Sequence, residues 1–281
     1  MDRIRKALDL ARLERAQRLN QEAAEYPSHP ISASPVMGLR PVRAANGAAP
    51  GEPGRTREFQ PPTEVLERHR ILEPAAEHGA AMAYRMLRTQ VLQRMDAHGW
   101  RSLAVFSPGE SDGKTTTVAN LAISLASDHL HSVLLIEFDF KRPALAARFG
   151  LEPELGADDA LKGTALVHEC LYHPRGYQRL VIMPARRTLT DSSELLAGPK
   201  SREIVSEVRN RYPERIVLFD LPPVLQVDDA LSFAPLIECG LVVASEGRTR
   251  RRDLIRTIEL LQKTPIVGTV LNRAVDAPSG Y

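Results

Sequence analysis

Six short apolar runs punctuate the chain from residue 103 onward: Leu103–Phe106, Val133–Phe138, Leu180–Met183, Ile216–Phe219, Leu241–Ala244 and Ile266–Leu271. None alternates with polar positions and all are too short for a helix, which predicts strands buried on both faces. Between and before them the period changes. Ser201–Arg211 and Arg251–Gln262 predict helices, and Ala81–Asp96 places Leu87, Val91 and Met95 on one face. Strands alternating with helices predict an α/β domain with a mainly parallel sheet flanked by helices. No internal repeat interrupts the pattern.

The first part of the chain reads differently. Residues 1–25 carry Ile4, Leu8 and Ala11 on one face of an amphipathic helix, with Arg3, Arg5, Lys6, Arg12, Arg15 and Arg18 elsewhere. Two readings stand: a solvated helix, or a docking helix for a partner or an anionic membrane surface. Residues 26–62 contain Pro27, Pro30, Pro35, Pro41, Pro50, Pro53, Pro61 and Pro62 among Ser, Ala and Gly, which predicts a flexible linker. The expected organisation is a helix over 1–25, a linker over 26–62, a folded domain over 63–274 and a tail over 275–281.

Composition changes this picture little. The 281 residues are 43% hydrophobic and 26% charged, as in ordinary globular proteins. A formal net charge of +2 gives no argument for nucleic-acid binding. Cys170 and Cys239 lie far apart without metal-ligand spacing, so reduced thiols in a cytosolic setting are expected. No apolar run reaches the length of a membrane span, and the charged N-terminus lacks the apolar stretch of a secretory signal.

Candidate chemistry gathers at the ends of the apolar runs. After Leu103–Phe106 comes Ser107-Pro108-Gly109-Glu110-Ser111-Asp112-Gly113-Lys114-Thr115-Thr116, which ends as a Walker A phosphate loop does. Gly109, Glu110, Ser111, Asp112, Gly113 and Thr116 are candidate phosphate contacts through backbone amides and the helix N-terminus. Lys114 would reach the terminal phosphates and the Thr115 hydroxyl would ligate Mg²⁺. Pro108 stands where the first Walker glycine belongs. Asp220 ends the run Ile216–Phe219 ahead of Leu221-Pro222-Pro223, the Walker B arrangement for holding Mg²⁺. Glu137 and Asp139 end another run, and alternation puts both carboxylates on one side, where they can share a metal and accept a proton. The competing reading pairs them with Lys141 or Arg142. Asn272 either hydrogen-bonds an adenine edge or caps a turn. His129 and His131 read as exposed loop residues, the Arg248–Arg252 cluster as a solvated face, and Tyr172, Tyr177 and Tyr212 as packed side chains.

With these motifs in hand, residues 78–274 resemble the bacterial tyrosine kinases of capsule and exopolysaccharide synthesis. That family carries a variant Walker A loop, a second strand ending D-x-D-x-R and a Walker B strand ending D-x-P-P. Ser107–Thr115, Glu137–Lys141 and Asp220–Pro223 take those places, and Ala83–Thr89 looks like the family's helix before the loop. The chain looks most like the stand-alone autokinases found with exosortase-linked exopolysaccharide clusters. The resemblance implies a MinD-like P-loop fold, ATP and Mg²⁺ as ligands, and autophosphorylation on a C-terminal tyrosine, here Tyr281. It implies Lys114, Glu137, Asp139 and Asp220 as catalytic residues, and Thr115, Asp139 and Asp220 as metal-linked. It also implies a membrane polysaccharide co-polymerase (chain-length regulator) as activating partner and a place at the inner face of the plasma membrane. Contact with the membrane would be indirect or through the N-terminal helix, with self-association and no nucleic acid. The sequence departs from the family at Glu137 for Asp, Lys141 for Arg, Met82 for the Glu that joins ring subunits, and a single tail tyrosine. Two other functions remain open: a ParA/MinD-type partner-switching ATPase, whose signature lysine is replaced by Gly109, and a nucleotide-binding regulator without turnover. Lys114→Ala is expected to lose phosphotransfer without losing the fold.

Overall fold

A computed structural model describes residues 56–73, 79–211 and 214–274. The N-terminal helix, residues 26–55 of the linker, Tyr212 and Tyr281 lie outside the described residues. In chain order the elements are β1 (Arg57–Phe59), α1 (Thr63–His69), α2 (Gly79–His98), β2 (Ser102–Phe106), α3 (Lys114–Ala126), β3 (Ser132–Glu137), α4 (Leu145–Phe149), α5 (Ala157–Leu161), β4 (Tyr172–Pro174) and β5 (Leu180–Met183). There follow α6 (Ser192–Ala197), α7 (Pro199–Arg211), β6 (Arg215–Asp220), α8 (Asp229–Phe233), β7 (Cys239–Ser245), α9 (Arg251–Leu260) and β8 (Ile266–Asn272). The strands form one sheet in the order β1-β4-β5-β3-β6-β2-β7-β8. Every pairing is parallel except β4 with β5.

All six expected strands are present with small shifts of their ends. In β2, β3, β6 and β7 the apolar runs are uninterrupted because both faces are buried, whereas the edge strand β8 departs from that expectation and leaves Leu271 57% exposed. Leu103 and Val105 of β2 face a core with α3, while Ala104 and Phe106 face the opposite core with Phe138, Phe219 and Phe233. The expected linker over 26–62 needs correction at its end, because Arg57–Phe59 forms the edge strand β1. Its residues show no apolar pattern, and only pairing with Tyr172–Pro174 makes them a strand. β4 escaped the pattern for the same reason: tertiary pairing outweighs a local preference that three residues cannot express.

The order of the strands matters for function. β2, β6 and β3 are neighbours at the centre, so the three motif-bearing strand ends converge at one edge of the sheet, where open α/β folds bind ligands.

Candidate active site

Gly113 begins the site. Its φ of +94° turns the chain into α3, whose first residue is Lys114. An added Cβ there would stand 1.8 Å from the Asn272 side-chain nitrogen, so only glycine fits. The loop is braced from several sides. Asp112 accepts from the Gly109 amide at 2.9 Å and from the Thr249 hydroxyl at 2.8 Å. The Ser107 hydroxyl donates to the Gly109 carbonyl at 2.9 Å, and Glu110 pairs with Arg142. Asn272, expected at an adenine edge, donates from its side-chain nitrogen to the Asp112 carbonyl at 2.9 Å and thereby ties β8 to the loop.

Gly113→Ala is expected to lower stability by roughly 1–3 kcal/mol through left-handed strain and this overlap, and to weaken ATP-analogue binding at least tenfold. Gly109→Ala meets only ordinary contact, at 3.5 Å, and should leave the melting temperature nearly unchanged. Equal melting temperatures for the two variants would contradict the bracing described.

Lys114 is buried, and its Nζ donates to Asp220 Oδ1 at 2.6 Å and to Asp139 Oδ2 at 3.3 Å. Burial works against its charge, but the two carboxylates outweigh burial and hold the ammonium above the usual lysine range. Asp139 is pushed up by burial and by the Asp220 charge, against the pull of Lys114. That direction suits a group that must accept a proton near neutral pH. Its second oxygen accepts from the Arg142 amide at 3.1 Å, which fixes the carboxyl in place.

Glu137 differs from its expected role. It is fully buried, opposite Asp220 in the strand register, and both its oxygens are taken by backbone amides. Oε1 accepts from Ala144 at 2.6 Å and Leu145 at 2.8 Å, and Oε2 accepts from Ala185 at 3.0 Å. Burial and the Asp220 charge push the carboxyl up to about 8. The geometry therefore makes it a brace rather than a metal ligand. It pairs with neither Lys141, which donates to the carbonyls of Leu189 and Thr190, nor Arg142.

Magnesium fits the remaining donors. Asp220 Oδ2 is buried without a hydrogen-bond partner, and the Thr115 hydroxyl sits in the first turn of α3. These hard oxygens suit an ion bound by few protein ligands and completed by phosphate oxygens. Among the described residues no cluster of three or more acidic, His or Cys side chains forms a self-sufficient metal site.

Thr116 and Asn272 share a cavity of about 700 Å³ with Arg70, Tyr84 and Asn120. Asn120 fixes its wall, donating to the Arg70 carbonyl and accepting from the Leu72 amide, both at 2.8 Å. Sequence reasoning missed Asn120, although an Asn inside the apolar stretch Val118–Ile123 was a legible signal. It also missed Arg148 on α4, a half-buried cation that burial pulls below the usual arginine range, with the charges of Asp220 and Glu137 opposing that only in part. Tyr172 and Tyr177 are packed, their hydroxyls bonded to Leu155 and Leu72.

A central parallel sheet, a glycine-turned phosphate loop and two acidic strand ends define a P-loop nucleotide-binding protein. The model of the CobQ/CobB/MinD/ParA nucleotide binding domain matches residues 103–279, and the chain belongs to that family. Within it the chain is a bacterial tyrosine kinase. Tyrosine-protein kinase YwqD of Bacillus subtilis is 27% identical over 67% of this chain and 79% of its own. The succinoglycan biosynthesis transport protein ExoP of Rhizobium meliloti is 30% identical over 73% of this chain, which spans only 26% of ExoP. The kinase domain of the Escherichia coli tyrosine kinase ETK superposes with a TM-score of 0.63 at 26% identity, covering 72% of this chain and 80% of that one.

Proposed function

We propose that the chain is an ATP- and Mg²⁺-dependent protein-tyrosine autokinase acting in exopolysaccharide or capsule polymerisation and export. The observation that carries this reading is the buried Asp139–Lys114–Asp220 cluster at the phosphate loop. Lys114 would exchange its carboxylate partners for the β- and γ-phosphates. Asp139 accepts the proton of an attacking tyrosine hydroxyl. The phenolic oxygen then bonds to the γ-phosphorus as the bridging bond to the β-phosphate breaks, releasing ADP. Mg²⁺, held by Thr115 and Asp220, would neutralise the charge developing on the phosphates. The cavity beside Thr116 takes the base and ribose.

Tyr281 is the proposed acceptor. A membrane polysaccharide co-polymerase is the proposed activator, by analogy with ExoP, which is much longer than this chain. Among the described residues no helix is long and apolar enough to cross a membrane, so we assign a peripheral position at its inner face through that partner or residues 1–25.

The test is phosphosite mapping after incubation with ATP, Mg²⁺ and the co-polymerase, for wild type beside Tyr281→Phe. Phosphotyrosine at 281 that disappears in the variant is expected. A blank wild type sinks the reading, and turnover stimulated by lipid or DNA without phosphotyrosine favours a partner-switching ATPase.

A further inference from the structure

α9 lies on the side of the sheet opposite α3. Leu254 and Leu261 hold it in the core that contains Phe106 and Val242. Its outer side carries Arg251, Ile255 and Ile258 at helical spacing, and the two isoleucines are 43% and 41% exposed. Beside α9 runs β8, the last strand of the sheet, with one edge unpaired. β8 places Thr269 opposite Val242 and Leu271 opposite Ala244. Val242 faces the α9 core, so alternation puts Thr269 and the exposed Leu271 on the same side as the isoleucines.

The same face is basic. Residues 248–263 hold six cations, Arg248, Arg250, Arg251, Arg252, Arg256 and Lys263, against Asp253 and Glu259. All six cations are exposed. Arg252 pairs with Asp253 at 3.4 Å and Arg256 with Glu259 at 3.3 Å, contacts that solvent screens and that bind little charge. Among the described residues Arg250 and Arg251 make no ion pair. Arg250, Arg251 and Arg252 stand where α9 begins, and the helix dipole disfavours cations there, so the cluster does not serve the helix's own stability.

We propose that the α9–β8 face docks directly on an anionic phospholipid bilayer, with the arginines at the headgroup phosphates and Ile255, Ile258 and Leu271 at the acyl boundary. This contact requires neither the co-polymerase nor phosphotransfer. It sets the nucleotide site beside the bilayer, because the Thr249 hydroxyl, one residue before Arg250, donates to Asp112 of the phosphate loop at 2.8 Å.

Charge and shape select this partner. Residues 1–25 carry Arg3, Arg5, Lys6, Arg12, Arg15 and Arg18, and like charge keeps that segment off the face. A second copy meeting it about a two-fold axis would bring two arginine clusters together. Three separated aliphatic side chains are too little apolar area for the core of a stable protein interface. Nucleic acid would use the cations, but single strands gain from aromatic platforms and the apolar residues here are all aliphatic. A bilayer with anionic headgroups engages both halves of the surface at once: guanidinium groups meet phosphates, and the aliphatic chains enter the apolar boundary.

The test is co-flotation of the full chain, without nucleotide or co-polymerase, on mixed phosphatidylcholine–phosphatidylglycerol vesicles and on pure phosphatidylcholine vesicles. Wild type should float with the mixed vesicles only, and should detach at about 1 M salt, where the screening length falls to about 3 Å. Arg251→Glu with Arg252→Glu should weaken mixed-vesicle binding at least tenfold. Ile255→Ser with Ile258→Ser should weaken it at least fivefold and keep its salt dependence. All four side chains are exposed, so melting temperatures should stay near that of wild type. Arg12→Glu with Arg15→Glu serves as the background for residues 1–25, and adding the Arg251 and Arg252 changes to it should cost the same factor as in wild type. An environment-sensitive fluorophore on Ile258→Cys should shift to the blue on mixed vesicles. One on Glu64→Cys, in α1 on the other side of the sheet, should not, and the buried Cys170 and Cys239 do not take up label.

No vesicle binding by wild type, unchanged affinity in either α9 double variant, loss of all binding through Arg12→Glu with Arg15→Glu alone, or tighter binding to duplex DNA than to mixed vesicles would overturn the proposal. The expected vesicle pattern in a protein that makes no phosphotyrosine would support the docking face and leave the failure with the kinase reading.

Discussion

Lys114→Met is expected to abolish phosphotransfer and, in addition, to destabilise the nucleotide-free protein. Loss of one preorganised charge at developing phosphate charge costs on the order of a thousandfold in rate. The stability effect comes from the other role the structure gives this residue. Lys114 lies buried between Asp139 and Asp220, and removing it leaves two buried carboxylates without their shared cation. Breaking a buried pair from one side typically costs about 3–5 kcal/mol. The simpler expectation, loss of phosphate with the fold unaffected, overlooked that the lysine is part of the interior when no nucleotide is present.

The pH dependence of that deficit has a definite sign. Without the cation the folded-state pKa of Asp139, already raised by burial, rises further above its unfolded value. The penalty is therefore small below the ordinary carboxylate range, where both states are protonated. It grows as pH rises towards the raised value, because the unfolded state then releases a proton that the folded state retains. Melting curves of wild type and variant should lie closer at pH 4 than at pH 7. A gap that does not change with pH would mean the stability loss has another origin.

Asp220→Asn should be as damaging to phosphotransfer, again on the order of a thousandfold, and far less damaging to the apo fold. The substitution keeps the side chain's shape and leaves Lys114 paired with Asp139. It also relieves the like-charge repulsion that raises both Asp139 and Glu137. What disappears is the charge on the carboxylate whose Oδ2 is left without a partner. A raised Mg²⁺ requirement in single-turnover assays, with a melting temperature at or above that of wild type, is the expected pair of results. A variant that keeps full transfer at low Mg²⁺ would remove Asp220 from the metal's surroundings.

The likeness to full kinases such as YwqD rests on strand ends that were readable one at a time. Gly113-Lys114-Thr115, Asp139 and Asp220 each follow or end an apolar run, the first after the loop Ser107–Asp112, and alternation of strands with helices implied that such ends converge. The sequence could not show what each carboxylate touches. Glu137 ends β3 and Asp139 lies two residues beyond it, and the two look equivalent in a linear reading. One is enclosed by amides from α4 and the turn after β5, while the other meets Lys114. Asn272 is similar: as a polar residue ending a strand it suggested either base recognition or a turn cap, and only the structure shows that its amide braces Asp112 across the sheet.

The chain's local pattern determined the secondary structure, the parallel sheet and the identity of the phosphate loop. Those follow from interactions between near neighbours: burial of continuous apolar runs, the φ of a glycine, the start of a helix. Tertiary structure alone decided that Lys114 is shared by two acids, that Glu137 is a brace, and that Arg57–Phe59 is a strand. Each of these depends on which segments, dozens of residues apart in sequence, come to lie side by side, and the order of strands in the sheet sets that.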